Sequence, residues 1–170
     1  PDIFGGFSTV LRWKDIDLNA VFGYSVGGQI YNYSRQEYDS DGAYNDRNQM
    51  KLQKGWNRWE KPGDIATHPK AEYGNKSQSS KGSSRYLEDA SYLRLRSLTL
   101  GYTLPWKIQY VDNIRLSFSG ENLFVLSGFS GVDPELPAEV GSQYKAGSVG
   151  VAISPYPQAR KFMFGLNVTF

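Results

Sequence analysis

Apolar side chains along this chain recur with period two. From Arg160 to Phe170 one parity reads Phe162, Phe164, Leu166, Val168, Phe170 and the other Met163, Gly165, Asn167, Thr169. That is a strand with one apolar face and one polar or small face. The same alternation runs from Ile16, where Ile16, Leu18, Ala20, Phe22, Tyr24 and Val26 oppose Asp17, Asn19, Val21, Gly23 and Ser25. Phe7, Thr9, Leu11 and Trp13 make a preceding strand, and Lys14-Asp15 is a natural tight turn between the two. Leu98, Leu100, Tyr102 and Leu104 share a face further on, whereas Leu93 and Leu95 lie on the opposite parity, so a bulge is expected near Arg96-Ser97. A fifth strand runs from Ile114 through Phe118 to Phe124, irregular at Gly120-Glu121-Asn122. The pattern predicts an all-β chain of five antiparallel strands, about 3–13, 16–31, 91–104, 114–126 and 160–170, with no helix.

The connections alternate in length: short at Lys14-Asp15, very long over 33–90, short over 106–113, long over 127–159. Compact soluble domains rarely hold structureless loops beyond about 15 residues, whereas outer-membrane barrels combine short periplasmic turns with long extracellular loops. Trp13, Trp106 and Phe170 fall at the short-turn ends, and Tyr24, Tyr31, Tyr33 and Tyr92 near the long-loop ends, like two interfacial girdles. A tilted strand of about ten residues spans roughly 23 Å, close to the apolar band of such barrels. Five strands are too few to close a membrane barrel, and open edges in hydrocarbon cost several kcal/mol per unpaired group. Completing strands are therefore expected outside this sequence. With Pro1 at its start and Phe170 at its end, the chain is expected to be a C-terminal part.

Composition narrows the alternatives. Cysteine is absent, which excludes disulfide scaffolds, zinc–thiolate sites and thiol catalysis. A net charge of +2 gives no reason to expect a nucleic-acid partner. The longest apolar run, Leu123 to Leu126, is too short for a transmembrane helix or signal-peptide core.

Ser91-Tyr-Leu-Arg-Leu-Arg-Ser-Leu-Thr-Leu-Gly-Tyr-Thr-Leu-Pro105 resembles a segment of the SusC/RagA family of TonB-linked outer-membrane transporters. Pro1-Asp-Ile-Phe-Gly-Gly-Phe7, Asn57-Arg-Trp-Glu-Lys-Pro62, Ser119-Gly-Glu-Asn-Leu-Phe124, Val132-Asp-Pro-Glu135 and the stretch from Tyr156-Pro157 to Phe164-Gly-Leu-Asn-Val-Thr-Phe170 are similar to the family in the same order. Gly128-Phe-Ser-Gly131 departs from it, standing where a bulkier aromatic pair is expected. The resemblance implies a 22-stranded barrel with an N-terminal plug domain that is absent from this sequence. It implies import of glycans or peptides across the bacterial outer membrane, beneath a SusD-like surface lipoprotein lid and driven by the TonB complex. A dimer of transporter–lipoprotein pairs is a further implication. Residues 1–170 would supply the last five strands and the loops of a substrate vestibule, with Asp17, Asn19, Ser25, Asn167 and Thr169 facing the lumen. The rival class is a soluble all-β carbohydrate-binding module, which would bury its apolar face between sheets and keep its loops short.

Within the longest loop, Trp56, Trp59 and Tyr73 are candidates for stacking on sugar rings; their plainer role is to pack the loop or its lid. Phe170, a terminal aromatic closing an alternating strand, is the candidate signal for the outer-membrane assembly machinery. Asp39-Ser40-Asp41-Gly42 lacks the spacing of a calcium loop and reads as a solvated Gly turn. Asp133 and Glu135 read as turn formers. His68 is the only histidine and lies in a polar loop, so a histidine metal pair is impossible and no nucleophile-elbow pattern surrounds it. The basic residues between Lys51 and Arg96 read as a solvated surface. No enzyme activity, cofactor or metal is expected.

Overall fold

The computed structural model describes residues 1–46, 48–106, 109–135, 151–152 and 156–170. In chain order the elements are β1 (Ile3–Trp13), β2 (Ile16–Val26), β3 (Gln29–Asn32), α1 (Tyr33–Tyr38), a 3₁₀ turn (Ser84–Tyr86), β4 (Leu87–Asp89), β5 (Tyr92–Thr103), β6 (Asn113–Ser127), β7 (Val151–Ala152) and β8 (Lys161–Thr169). Much of the expected loop 127–159 lies outside the described residues. The chain forms two compact units, one of Pro1–Gln29, Asp89–Glu135 and Tyr156–Phe170, the other built on Ile30–Glu88 with β7.

The first unit is one antiparallel sheet in the order β1-β2-β5-β6-β8. Its register aligns like with like. Leu11, Leu18, Leu100, Phe118 and Phe164 are successive cross-strand partners, and so are Arg12, Asp17, Gly101, Ser117 and Gly165 one position along. Period two within each strand therefore becomes an apolar face and a polar face across the whole sheet. On the apolar face Phe7 stacks on Phe22 at 4.8 Å between ring centroids, and Phe118 meets Phe164 at 5.0 Å. The register shifts between Leu95 and Ser97, leaving Arg96 unpaired as a bulge. That extra residue explains how Leu93 and Leu95 rejoin the face carrying Leu98 and Leu100.

β2 stops at Val26 instead of running on to residue 31. Gly27 and Gly28 take φ of +77° and +82°, which β-strands do not adopt, and the chain leaves the sheet there. It re-enters as β3 in a small sheet of order β4-β3-β7, where β3 and β7 run parallel.

The long segment of the second unit is ordered, not featureless. α1 is capped by Asn32, whose side chain accepts from the Arg35 N–H at 2.9 Å. Asn57 ties two stretches of the segment together: its N–H donates to Thr67 Oγ1 (2.8 Å), its Nδ2 to the Ile65 carbonyl (3.0 Å), and its Oδ1 accepts from Thr67 N–H (3.1 Å). Asp64 Oδ2 accepts from the N–H groups of Glu60 and Lys61, closing the Lys61–Asp64 turn.

Candidate functional site

The two faces of the sheet differ in what they leave open. Phe162, Phe164 and Leu166 are 58%, 84% and 67% exposed, and Phe7, Leu11 and Trp13 are likewise uncovered. Among the described residues nothing covers them as the second sheet of a sandwich would. A contiguous uncovered apolar sheet face signals an interaction surface.

The polar face is laced by ion pairs. Arg115 grips Asp17 through two parallel bonds, Nη1–Oδ1 at 2.5 Å and Nη2–Oδ2 at 2.7 Å. Arg115 stands on β6 and Asp17 on β2, so the pair spans the intervening β5 at Gly101, where a Cβ would overlap the guanidinium. Near the other end, Arg94 is buried and its Nη2 meets both oxygens of Asp133 at 2.5 Å, while its Nε lies 2.7 Å from Glu135 Oε2. Arg96, from the bulge, reaches Glu135 Oε1 at 2.5 Å. Asp133 and Glu135 thus anchor to β5. The turn role expected for them is also present, because Glu135 N–H donates to Asp133 Oδ1 at 2.9 Å.

The second unit contains a buried ionic cluster where the sequence suggested a solvated turn. Asp41 and Gly42 both take positive φ, +51° and +91°, in a tight turn closed by Ala43 N–H on the Ser40 carbonyl at 3.0 Å. The turn drives both carboxylates inward, and Asp39 and Asp41 are among the most buried side chains described. Arg85 bridges them, with Nη1 on Asp41 Oδ2 at 2.7 Å and Nη2 on Asp39 Oδ2 at 2.8 Å. Arg58 Nη1 takes the other oxygen of Asp41 at 2.7 Å, and Ser79 Oγ donates to Asp41 Oδ2 at 2.8 Å. Burial opposes ionisation of Asp41, but bonds from Arg85, Arg58 and Ser79 outweigh it and hold the carboxyl below its usual range. At Asp39 burial is the larger influence, and the carboxyl sits above its usual range against the pull of Arg85 and His68.

His68 is buried against this cluster, contrary to its expected place in a polar loop. Its Nε2 lies 2.9 Å from Asp39 Oδ2 without the alignment of a hydrogen bond, and Thr67 Oγ1 lies 2.8 Å from Nδ1. Burial lowers the imidazole pKa; Asp39 opposes the shift, and Arg85, Arg35 and Arg58 add to it. Aspartate, imidazole and hydroxyl in a row resemble a hydrolytic triad, yet the Thr67 hydroxyl also donates to the Asn57 carbonyl at 3.0 Å and accepts that residue's N–H. It is committed to the turn, and the arrangement is structural.

Among the aromatic candidates, Trp56 packs inward, its ring centroid 4.7 Å from that of His68 and 4.8 Å from the Arg35 guanidinium. Trp59 is 37% exposed and stands at a cleft of about 420 Å³ lined also by Asp64, Thr67, His68, Ser79 and Arg85. Tyr73 is 81% exposed and does not line that cleft, so the three rings do not form one platform. Phe170 follows β8 and is 84% exposed. Sequence reasoning missed the buried Asp39, Asp41, Arg58 and Arg85. The available signal was the Asp-Gly dipeptide at 41–42, a turn that needs left-handed backbone.

No protein-family model matches the chain. Over its whole length it is 34% identical to TonB-dependent receptor P3 of Formosa agariphila, covering 16% of that protein. It is 24% identical to TonB-dependent receptor SusC of Bacteroides thetaiotaomicron, across 99% of the chain and 15% of the relative. Among solved structures, the RagAB peptide transporter matches 98% of the chain and 17% of its own, at 28% identity and a TM-score of 0.76. The RagAB peptide importer in its open-open state matches at 26% identity, with a TM-score of 0.69 and the same coverage. The chain thus spans about a sixth of the length of the curated relatives it matches.

Proposed function

Similar along its whole length to TonB-dependent receptors including SusC, and folded like the matching part of RagAB, the chain is of the SusC/RagA type, and from that premise we propose that it builds part of the wall and vestibule of an outer-membrane importer. The observation that carries this reading is the five-stranded sheet itself, whose apolar face is open while its opposite face is polar and ion-paired. Acyl chains cover the first face and an aqueous lumen lines the second. Residues 1–170 are the C-terminal strands of a 22-stranded barrel whose plug lies elsewhere in the protein. Loops 33–90 and 127–159 face outward, beneath a SusD-like lipoprotein. The TonB complex energises import of glycans or oligopeptides, and transporter–lipoprotein pairs associate as a dimer. Phe170, the aromatic that follows β8, is read by the barrel-assembly machinery. The role is transport and not catalysis.

Uptake of fluorescent oligosaccharides and oligopeptides by cells with and without the gene tests this. Accumulation of one class should require both the gene and an intact proton-motive force. Equal accumulation in the deletion strain would refute the reading.

A further inference from the structure

We propose that residues 128–135 fold inward as a fixed shelf over the polar face of the sheet and narrow the bore on that side, so that this wall selects cargo by girth. The inference rests on the transport reading and concerns the shape of the passage, not the chemical class of what passes. β6 leaves the sheet at Ser127, whose hydroxyl donates to the Ser91 carbonyl at 2.7 Å and accepts the Phe129 N–H at 3.1 Å, which turns the chain at the end of the strand. Phe129 is buried, and its ring lies against Gly131, where a Cβ would overlap it. Asp133 and Glu135 then return to β5 inside its end at Tyr92, on Arg94, which stands opposite Gly23 of β2.

Burial marks the footprint of the shelf. Arg94 is covered by Asp133 and Glu135, and Gly23 by the Arg96 side chain that reaches Glu135, whereas Asn19 further along β2 is exposed. The bulge supplies Arg96 as an extra residue on this face, so two guanidinium groups clamp one short turn. Gln158, ahead of β8, adds a contact to Arg94 Nη1 at 3.5 Å. Lifting the shelf would strand Arg94 and Asp133 as unpaired charges in a buried site, which makes it a fixture and not a flap. Two arginines face two carboxylates, so the clamp is neutral and sets no net field in the bore. What it presents to passing cargo is bulk, with Val132 exposed at its surface. A neutral, fixed obstruction discriminates by size.

The test uses the full-length transporter in cells and compares initial uptake of dye-labelled oligohexoses and oligopeptides, each in a linear and a branched form. The branched-to-linear ratio is the readout, because a change in the amount of folded barrel cancels from it. Glu135→Gln, which leaves Arg94–Asp133 in place, should raise that ratio severalfold, and Val132→Trp, which adds bulk at an exposed position, should lower it. Amide exchange over 128–135 in the purified full-length protein should quicken about tenfold in Glu135→Gln, the loss of one charge-assisted contact, and stay unchanged in Val132→Trp. Unchanged exchange in Glu135→Gln would show that the clamp does not hold the shelf and overturn the proposal. So would an unchanged ratio in both variants while linear cargo enters at the wild-type rate, a result that leaves the transport reading intact. Entry of neither form in the wild type would refute the transport reading itself, and the shelf with it.

Discussion

Single residues on this chain carry more structure than their types suggest. Arg94 is buried between strand and turn, and truncating it strands Asp133 in a low-dielectric site. Arg94→Ala should therefore cost about 3–5 kcal/mol, read as a lower urea midpoint for the folded barrel, because a broken buried pair leaves an uncompensated charge. His68 gives a pH dependence with a definite sign. Its folded pKa lies below the ordinary value near 6.5, so its contribution to stability is complete above that pH and lost as pH falls through the folded pKa. Asp39, shifted up, works the other way: its protonated form favours folding in acid, and that contribution is lost as pH rises through its folded pKa. Hydrogen exchange at the Trp59 and His68 amides, corrected for intrinsic rate, should accelerate between pH 7 and 5.5 in the wild type and change less in His68→Gln. These roles were hidden because burial of a loop carboxylate depends on partners distant in sequence, as when Arg85 reaches back to Asp39. The choice of Arg at 35, 58 and 85 was a readable hint, since the guanidinium fork suits buried carboxylate pairing better than lysine does.

At the scale of elements, alternation made the strands legible, because one residue of slip would carry every side chain to the wrong face. The bulge at Arg96 was legible for the same reason, as a parity change that only an extra residue resolves. The end of β2 was not, since Tyr31 keeps an apolar residue in a plausible run while Gly27 and Gly28 turn the backbone away. Nor was the order within 33–90, whose short elements are fixed by side-chain bonds that leave no periodic trace. β8 offers the sharpest test of face assignment. Under the proposed orientation, Leu166→Arg places a cation on the acyl-chain face at a cost of about 2–4 kcal/mol at mid-membrane, whereas Asn167→Arg points to water. Heat-modifiable barrel in outer-membrane fractions should fall strongly for the first variant and little for the second. Equal yields would reverse or remove the proposed orientation.

For the molecule as a whole, the sheet is amphipathic, ion-paired on its polar face by Arg115–Asp17 and Arg94–Asp133 and uncovered on its apolar face. Its family was legible from motifs in order along the whole chain, and the comparisons agree. The buried ionic cluster of the second unit was not, because it is assembled from residues distant in sequence. The most direct measurement attaches nitroxide labels singly at residues 162 to 169 of the full-length protein in lipid bilayers and compares relaxation by oxygen with relaxation by a water-soluble nickel chelate. Even-numbered positions should respond to oxygen and odd-numbered positions to nickel, in strict alternation. Equal nickel accessibility at 164, 166 and 168, or protection of those positions from both reagents, would contradict the account.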